Sequence, residues 1–216
     1  MGQASTGVIS MKVRESGMPE EVYWNAFFNP RCILEKLDCA ESSRGLIEFG
    51  CGYGLFTLAA AQLAHGPVFA LDIEEAMVSA TAEKVRAEGL SNVLVERRDF
   101  IAEGSGLADA CVDYAMLFNI LHLDDPIGLL REAFRVLAPG GKVGIIHWRS
   151  DIETPRGPSL AIRPRPEDCR SWGEAAGFVF VRSEGLSCCP YHYGLILERP
   201  GSGEIGFCEL GFPGSA

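Results

Sequence analysis

The residues best suited to chemistry begin with a run of glycines. Gly45-Leu-Ile-Glu48-Phe-Gly50-Cys51-Gly52-Tyr-Gly54 closes an apolar, strand-like segment and opens directly into the helical run Leu55 to Leu63. Glycines at 50, 52 and 54 let the chain turn tightly and let a ligand approach backbone that a Cβ would cover. A dinucleotide-binding turn, G-x-G-x-x-G, would need a glycine where Leu55 stands. Glu48 also sets a carboxylate just before the turn, which repels a pyrophosphate and suits a ligand carrying positive charge. A second carboxylate, Asp72, follows Gly50 by 22 positions, at the tip of the next apolar segment, Pro67 to Leu71. There it can accept hydrogen bonds from the two hydroxyls of a ribose, or cap the helical run that starts at Glu74.

These residues need a scaffold, and the apolar periodicity supplies one. Short apolar runs alternate with longer amphipathic ones: strand 45–49, helix 54–64, strand 67–71, helix 74–88, strand 92–96, strand 112–117, helix 126–137 and strand 142–148. That alternation predicts a parallel, doubly wound α/β sheet with helices on both faces. Helix 166–176 and the strand-like segments 178–184 and 191–199 then imply a hairpin, so one of its strands runs antiparallel. Residues 1–17 read as a loose arm, 18–199 as a single domain and 200–216 as a Gly-rich tail. Within the domain, residues 18–40 read as a helical flap over the cleft, with Pro at a helix start, acids in the first turn and aromatic residues at near-helical spacing.

Composition narrows the function classes. A formal net charge of -10 argues against a nucleic-acid footprint, because phosphate binding relies on clustered Lys and Arg. The Arg-containing stretch Arg156 to Arg170 reads as a solvated connector. The longest strongly apolar stretches, Leu55 to Ala64 and Tyr114 to Leu121, fall short of the roughly 18–20 residues of a membrane span. No secretory signal is readable in Met1 to Ser10, so the cytoplasm is the expected compartment. The eight cysteines, with no CxxC spacing, are accordingly expected as reduced and mostly buried thiols. Cys188, Cys189 and His192 lie close together but lack a second cluster to complete four ligands, and no metal site is expected.

Five segments, in this order, resemble the class I S-adenosylmethionine-dependent methyltransferases over roughly residues 20–199. They are Glu48-Phe-Gly-Cys-Gly-Tyr-Gly54, Leu71-Asp72-Ile73, Arg98-Asp99-Phe100, Phe118-Asn-Ile-Leu-His122 and Arg135-Val-Leu-Ala-Pro-Gly-Gly-Lys142. The resemblance implies a Rossmann-like sheet of seven strands, mostly parallel, closed by an antiparallel hairpin strand. It implies S-adenosyl-L-methionine as cofactor, with S-adenosyl-L-homocysteine as product. Its ammonium and sulfonium match the carboxylate before the glycine turn. Carried over by position, Glu48, Gly50, Cys51 and Gly52 would surround the methionine part and Asp72 the ribose. Asp99 would accept from the adenine amino group between Ile73 and Phe100, with Phe118 and Asn119 as the floor beneath the sulfonium. His122, beyond the fourth strand, is the candidate general base, or else a polar residue closing the Leu121-His-Leu123 turn. Tyr23 and Trp24 on the flap and His147 and Trp148 after the fifth strand are candidates for lining an acceptor pocket, or for packing.

The short segment after the fifth strand is similar to the small-molecule, quinone-biosynthesis-like members. It implies a small or medium organic acceptor rather than a nucleic acid or a membrane, and leaves a homodimer open. The alternative function is a non-catalytic cofactor-binding or interaction module of the same fold.

Overall fold

Strands that are covered on both faces read as unbroken apolar runs, and the central strands here do so. In the computed structural model, which describes residues 18–39 and 42–201, β1 (Leu46–Phe49) and β2 (Val68–Asp72) are buried throughout. β4 (Val112–Phe118) is buried at every position but Asp113. With β3 (Val93–Arg97), β5 (Leu137–Trp148), β6 (Val179–Glu184) and β7 (His192–Glu198) they form one seven-stranded sheet, ordered β3-β2-β1-β4-β5-β7-β6. β1 to β5 pair in parallel, while β7 runs antiparallel to both β5 and β6. This is the Rossmann-like arrangement with a closing hairpin that the residue pattern implied. The expected arm and all but two residues of the expected tail lie outside the described residues.

Six α-helices accompany the sheet among the described residues: α1 (Glu21–Asn25), α2 (Pro30–Lys36), α3 (Leu55–Leu63), α4 (Glu75–Ala87), α5 (Pro126–Val136) and α6 (Pro166–Ala176). Because successive strand residues point to opposite faces, each strand serves two cores. Ile47, Phe69, Ala115, Leu117 and Ile145 pack under α5 with Leu129, Leu130 and Ala133. Leu46, Val68, Tyr114, Met116 and Ile146 pack under α2 and α3 with Ile33, Leu34, Phe56 and Ala60. β5 begins five residues before its expected start at 142, since Leu137 already pairs with Val112 before a shift of register.

β1 lies between β2 and β4, so the chain leaves β1 in one direction and later returns on the other side. At such a reversal the connecting loops diverge and open a crevice beyond the carboxyl ends of the strands. The glycine turn, Asp72, Asn119 and Trp148 all follow or end strands at that edge. No helix among the described residues is long and apolar enough to cross a membrane.

The expectation of reduced thiols needs a correction. Cys32 on α2 and Cys188 in the β6–β7 connection form a disulfide across a separation of 156 residues, with Cα atoms 6.6 Å apart. The two sites meet because α2 and the β6–β7 connection share one core, through Ile33, Leu34, Leu186 and Cys189; no local spacing announces such a pairing. Cys39, Cys51, Cys169 and Cys189 are buried free thiols, behaving as the small hydrophobes expected. Alkylation of the unfolded, unreduced protein is expected to spare Cys32 and Cys188. Cys32→Ser with Cys188→Ser should lower stability by about 2–5 kcal/mol in urea unfolding, as release of a long closed loop predicts. Labelling of both thiols without reductant would refute the pairing.

Candidate active site

The glycine turn is held in a shape that only glycine adopts cheaply. Gly50, Gly52 and Gly54 have φ of 82°, 53° and 79°, in the left-handed region. A Cβ on Gly54 would lie 2.9 Å from the side chain of Thr81 on α4, and one on Gly52 would lie 3.2 Å from Met18 Cε. Thr81 Oγ1 donates to the Gly52 carbonyl at 2.8 Å, while the amides of Gly50 and Cys51 donate to Leu71 O at the end of β2. Asp72 completes the frame: its Oδ2 accepts from Gly52 N at 2.9 Å and its Oδ1 from Glu74 N at 3.0 Å. The two readings of Asp72 are therefore compatible, because each carboxylate oxygen keeps a second acceptor site. Asp72 is only 5% exposed, and burial raises its pKa against the pull of the two amides.

Glu48 is a carboxyl inside an otherwise apolar strand. It is 2% exposed and faces α3, where Thr57 Oγ1 donates to its Oε2 at 2.5 Å. Burial pushes its pKa up to about 8; Thr57 opposes this and the charge of Asp72 adds to it. At neutral pH Glu48 is mostly protonated until a cation comes near.

Across from the turn lies the end of β4. A Cβ on Gly50 would sit 3.1 Å from Ile120 Cδ1. Phe118 is buried edge-on against Phe56, with centroids 4.8 Å apart. Asn119 has φ 57°, a conformation rare outside glycine and tolerated best by Asn and Asp. Its N–H donates to Ile146 O at 2.8 Å, while its side-chain nitrogen and oxygen are buried with no partner among the described residues. Farther along the edge, Asp99 Oδ1 accepts from Ala102 N at 3.1 Å, and Ile73 is half-buried. Phe100 packs edge-on against Phe49 at 5.3 Å, within the core.

Residues 18–28 of the expected flap pack against this end. Met18 reaches Gly52, Tyr53 Oη donates to Pro19 O at 3.0 Å, and Lys84 joins Glu21 to the Tyr53 carbonyl. An aromatic chain runs Trp24–Phe28–Phe56–Phe118, Phe27 and Phe28 also meet Trp148, and Phe28 meets His192. Tyr23 is 46% exposed and its hydroxyl donates to Pro155 O at 3.4 Å, linking flap and connector.

His147 and Trp148, paired as candidate pocket residues, point to opposite faces of β5. Trp148 is buried beneath the flap aromatics, whereas His147 is 0% exposed and lies 3.2 Å from His122, between Nε2 and Nδ1. The connector is also less solvated than expected at one position. Arg163 is 8% exposed and donates to the carbonyls of Pro158, Arg149 and Arg156, beside the Trp148 ring. Met18, Thr57, Thr81 and Arg163 were not marked out by sequence spacing; each acts on a residue brought near only by the fold.

Residues 46–141 match a family described as methyltransferase domain. Over 123 residues the chain is 35% identical to the ribosomal protein L11 methyltransferase of Methylococcus capsulatus, covering 55% of this chain and 39% of that protein. It is 34% identical over 104 residues to the ubiquinone/menaquinone biosynthesis C-methyltransferase of Acidiphilium cryptum, covering 46% of this chain and 40% of that protein. The chain thus spans about two fifths of the length of these curated relatives. The crystal structure of an S-adenosylmethionine-dependent methyltransferase from Aquifex aeolicus superposes with a TM-score of 0.66 at 25% identity, covering 80% of this chain and 99% of that one. The fold and glycine turn are those of the class I S-adenosylmethionine-dependent methyltransferases, and residues 46–141 match a methyltransferase domain.

The residues present fit that cofactor. The turn leaves backbone uncovered by any Cβ, two buried carboxyls can meet a cation and a diol, and the amide of Asn119 has both a donor and an acceptor unused.

The raised pKa of Glu48 makes a stability prediction. The folded state holds a proton that the unfolded chain releases above about 4.5, so Glu48 contributes stability below that pH and loses it as pH rises toward about 8. Glu48→Gln should therefore be more stable than the parent by a margin that grows across this window, measured by urea unfolding at a series of pH values. A constant margin would show that Glu48 is ionised in the folded protein.

Proposed function

We propose that this domain transfers the methyl group of S-adenosylmethionine to a small or medium organic acceptor of apolar or aromatic character, by direct in-line displacement. The observation that carries this reading is the pair of buried carboxyls, Glu48 and Asp72, on one glycine turn, with the unpartnered amide of Asn119 at the end of the neighbouring strand β4. When bound, the cofactor supplies an electrophilic methyl on cationic sulfur. Glu48, Gly50, Cys51 and Gly52 bind the methionine part, Glu48 ionising as it meets the ammonium. Asp72 accepts the ribose hydroxyls on the lone pairs that Gly52 and Glu74 leave over, and Asp99, between Ile73 and Phe100, accepts from the adenine amino group. Phe118 and Asn119 form the floor beneath the sulfonium.

The acceptor would enter under the aromatic flap. Tyr23, Trp24, Phe27 and Trp148 suit an apolar or aromatic molecule, and the short connector held by Arg163 leaves room for one of modest size. The name of the quinone-biosynthesis relative supports the same class. Holding acceptor and methyl in line is worth roughly 7–11 kcal/mol in such reactions. His122 takes the acceptor's proton: burial lowers its pKa from the ordinary value of 6.5, so the imidazole is neutral at pH 7.

Calorimetric titration with S-adenosylmethionine and S-adenosylhomocysteine tests the cofactor site. Binding should release a proton from Glu48, seen as a heat that depends on the buffer's ionisation enthalpy, and should tighten as pH rises toward about 8. Asp72→Ala should weaken binding about 10- to 100-fold, near the 1.5–3 kcal/mol of a hydrogen bond to a charged group. No heat with either ligand overturns the reading.

A panel of phenols, hydroquinones and aliphatic amines with methyl-labelled cofactor tests the acceptor class. On whichever is methylated, turnover should fall as pH drops below the lowered pKa of His122 and stay level above it. A flat acid limb would remove His122 as base.

A further inference from the structure

The two histidines near the carboxyl edge are coupled through defined ring nitrogens, and hydrogen-bond counting assigns their protons. His147 Nδ1 faces the Trp148 carbonyl at 3.4 Å, and its Nε2 faces His122 Nδ1 at 3.2 Å. The rings meet edge to face, with centroids 5.3 Å apart. A carbonyl oxygen can only accept, so the single N–H of a neutral His147 belongs on Nδ1. Its Nε2 is then a lone pair, and the hydrogen shared between the rings belongs to His122 Nδ1. The opposite assignment would set the lone pair of His147 Nδ1 against that of the carbonyl and leave that nitrogen unpaired in the interior.

The surroundings keep His147 from taking a second proton. Burial is the main cause; the charges of His122 from the turn after β4, and of His192 from β7 and Arg163 from the connector across the strand, also disfavour a positive charge there, against the pull of the Trp148 carbonyl. Tyr193 on β7 stacks beside the ring at 6.4 Å, but its hydroxyl donates to Pro164 O and meets Cys169 Sγ, so it does not compete for either nitrogen. His147 is enclosed and neutral, with one acceptor offered to one partner.

We propose that His147 is a positioning residue that holds His122 in the tautomer protonated on Nδ1, leaving the lone pair of Nε2 free to take the acceptor's proton. This rests on the reading of His122 as the base. A free imidazole divides its proton between the two nitrogens, and only one of the forms presents a base outward; a fixed hydrogen bond to the other nitrogen removes that ambiguity. In the step itself the acceptor keeps the electron pair of its X–H bond while the proton moves to His122 Nε2. The imidazolium so formed still donates from Nδ1 to His147. Because His147 cannot carry the charge onward, the proton leaves through Nε2 to solvent.

The test reads tautomers directly. Long-range proton–nitrogen NMR spectra of the histidine-labelled protein, without cofactor or acceptor near neutral pH, should show His122 protonated on Nδ1 and bare on Nε2. The four histidines are assigned by single substitutions. In His147→Phe, which cannot accept, His122 should shift toward the Nε2–H form. In His147→Gln, whose amide oxygen can accept, the Nδ1–H form should persist. Once an acceptor is in hand, His147→Phe should lower turnover about tenfold or more, with KM unchanged. An Nε2–H form of His122 in the parent protein, or an unaltered tautomer in His147→Phe, overturns the proposal. If His147→Phe does not fold, the parent spectrum and the Gln variant decide it. Failure of the base reading is separate, shown by undiminished turnover of His122→Ala.

Discussion

The carboxylate of Asp72 is the interaction on which the site depends. Its two oxygens hold the Gly52 amide and the Glu74 amide, joining the glycine turn, the end of β2 and the start of α4 at one point. Without that clamp the left-handed turn would rely on its backbone bonds to Leu71 O and Cys51 O, the hydroxyl of Thr81 and the ammonium of Lys84. In the proposed binding mode the same oxygens accept the ribose hydroxyls, so the group that shapes the turn would also present it to the ligand. Hydrogen bonding of this density is what allows a carboxylate to remain where water is nearly excluded.

Glu48 is the counterpart that is not fully compensated. Thr57 supplies one hydrogen bond, and burial beside a second carboxyl favours its neutral form. Folding tolerates it because it can take up a proton, and in the proposed binding mode a cationic ligand would restore the charge. Stability and the proposed binding would then draw on opposite protonation states of one side chain, a conflict expected where a strand must serve both a core and a site.

The roof of the site is assembled from three separate pieces of chain. The flap contributes Tyr23, Trp24, Phe27 and Phe28, the end of β5 contributes Trp148, and the start of β7 contributes Tyr191 and His192. The Cys32–Cys188 bond holds the flap's second helix to the β6–β7 connection, and Arg163 gathers the connector under the same tryptophan. Opposite faces of β5 separate two tasks: Trp148 belongs to the aromatic roof and His147 to the histidine pair.

Sequence by itself determined the parallel sheet, its closing hairpin and the glycine turn between two carboxylates. Those features arise from local periodicity and from short spacings, such as the 22 positions from Gly50 to Asp72, which neighbouring residues impose on each other. Only the tertiary structure decided that Cys32 meets Cys188, that Thr57 faces Glu48 and Thr81 braces the turn, that Arg163 is interior, and that His147 turns away from Trp148 toward His122. Each of these joins segments far apart along the chain, or depends on which face of a strand a side chain takes. Such pairings are set by how helices and strands pack, and no spacing along the chain records them.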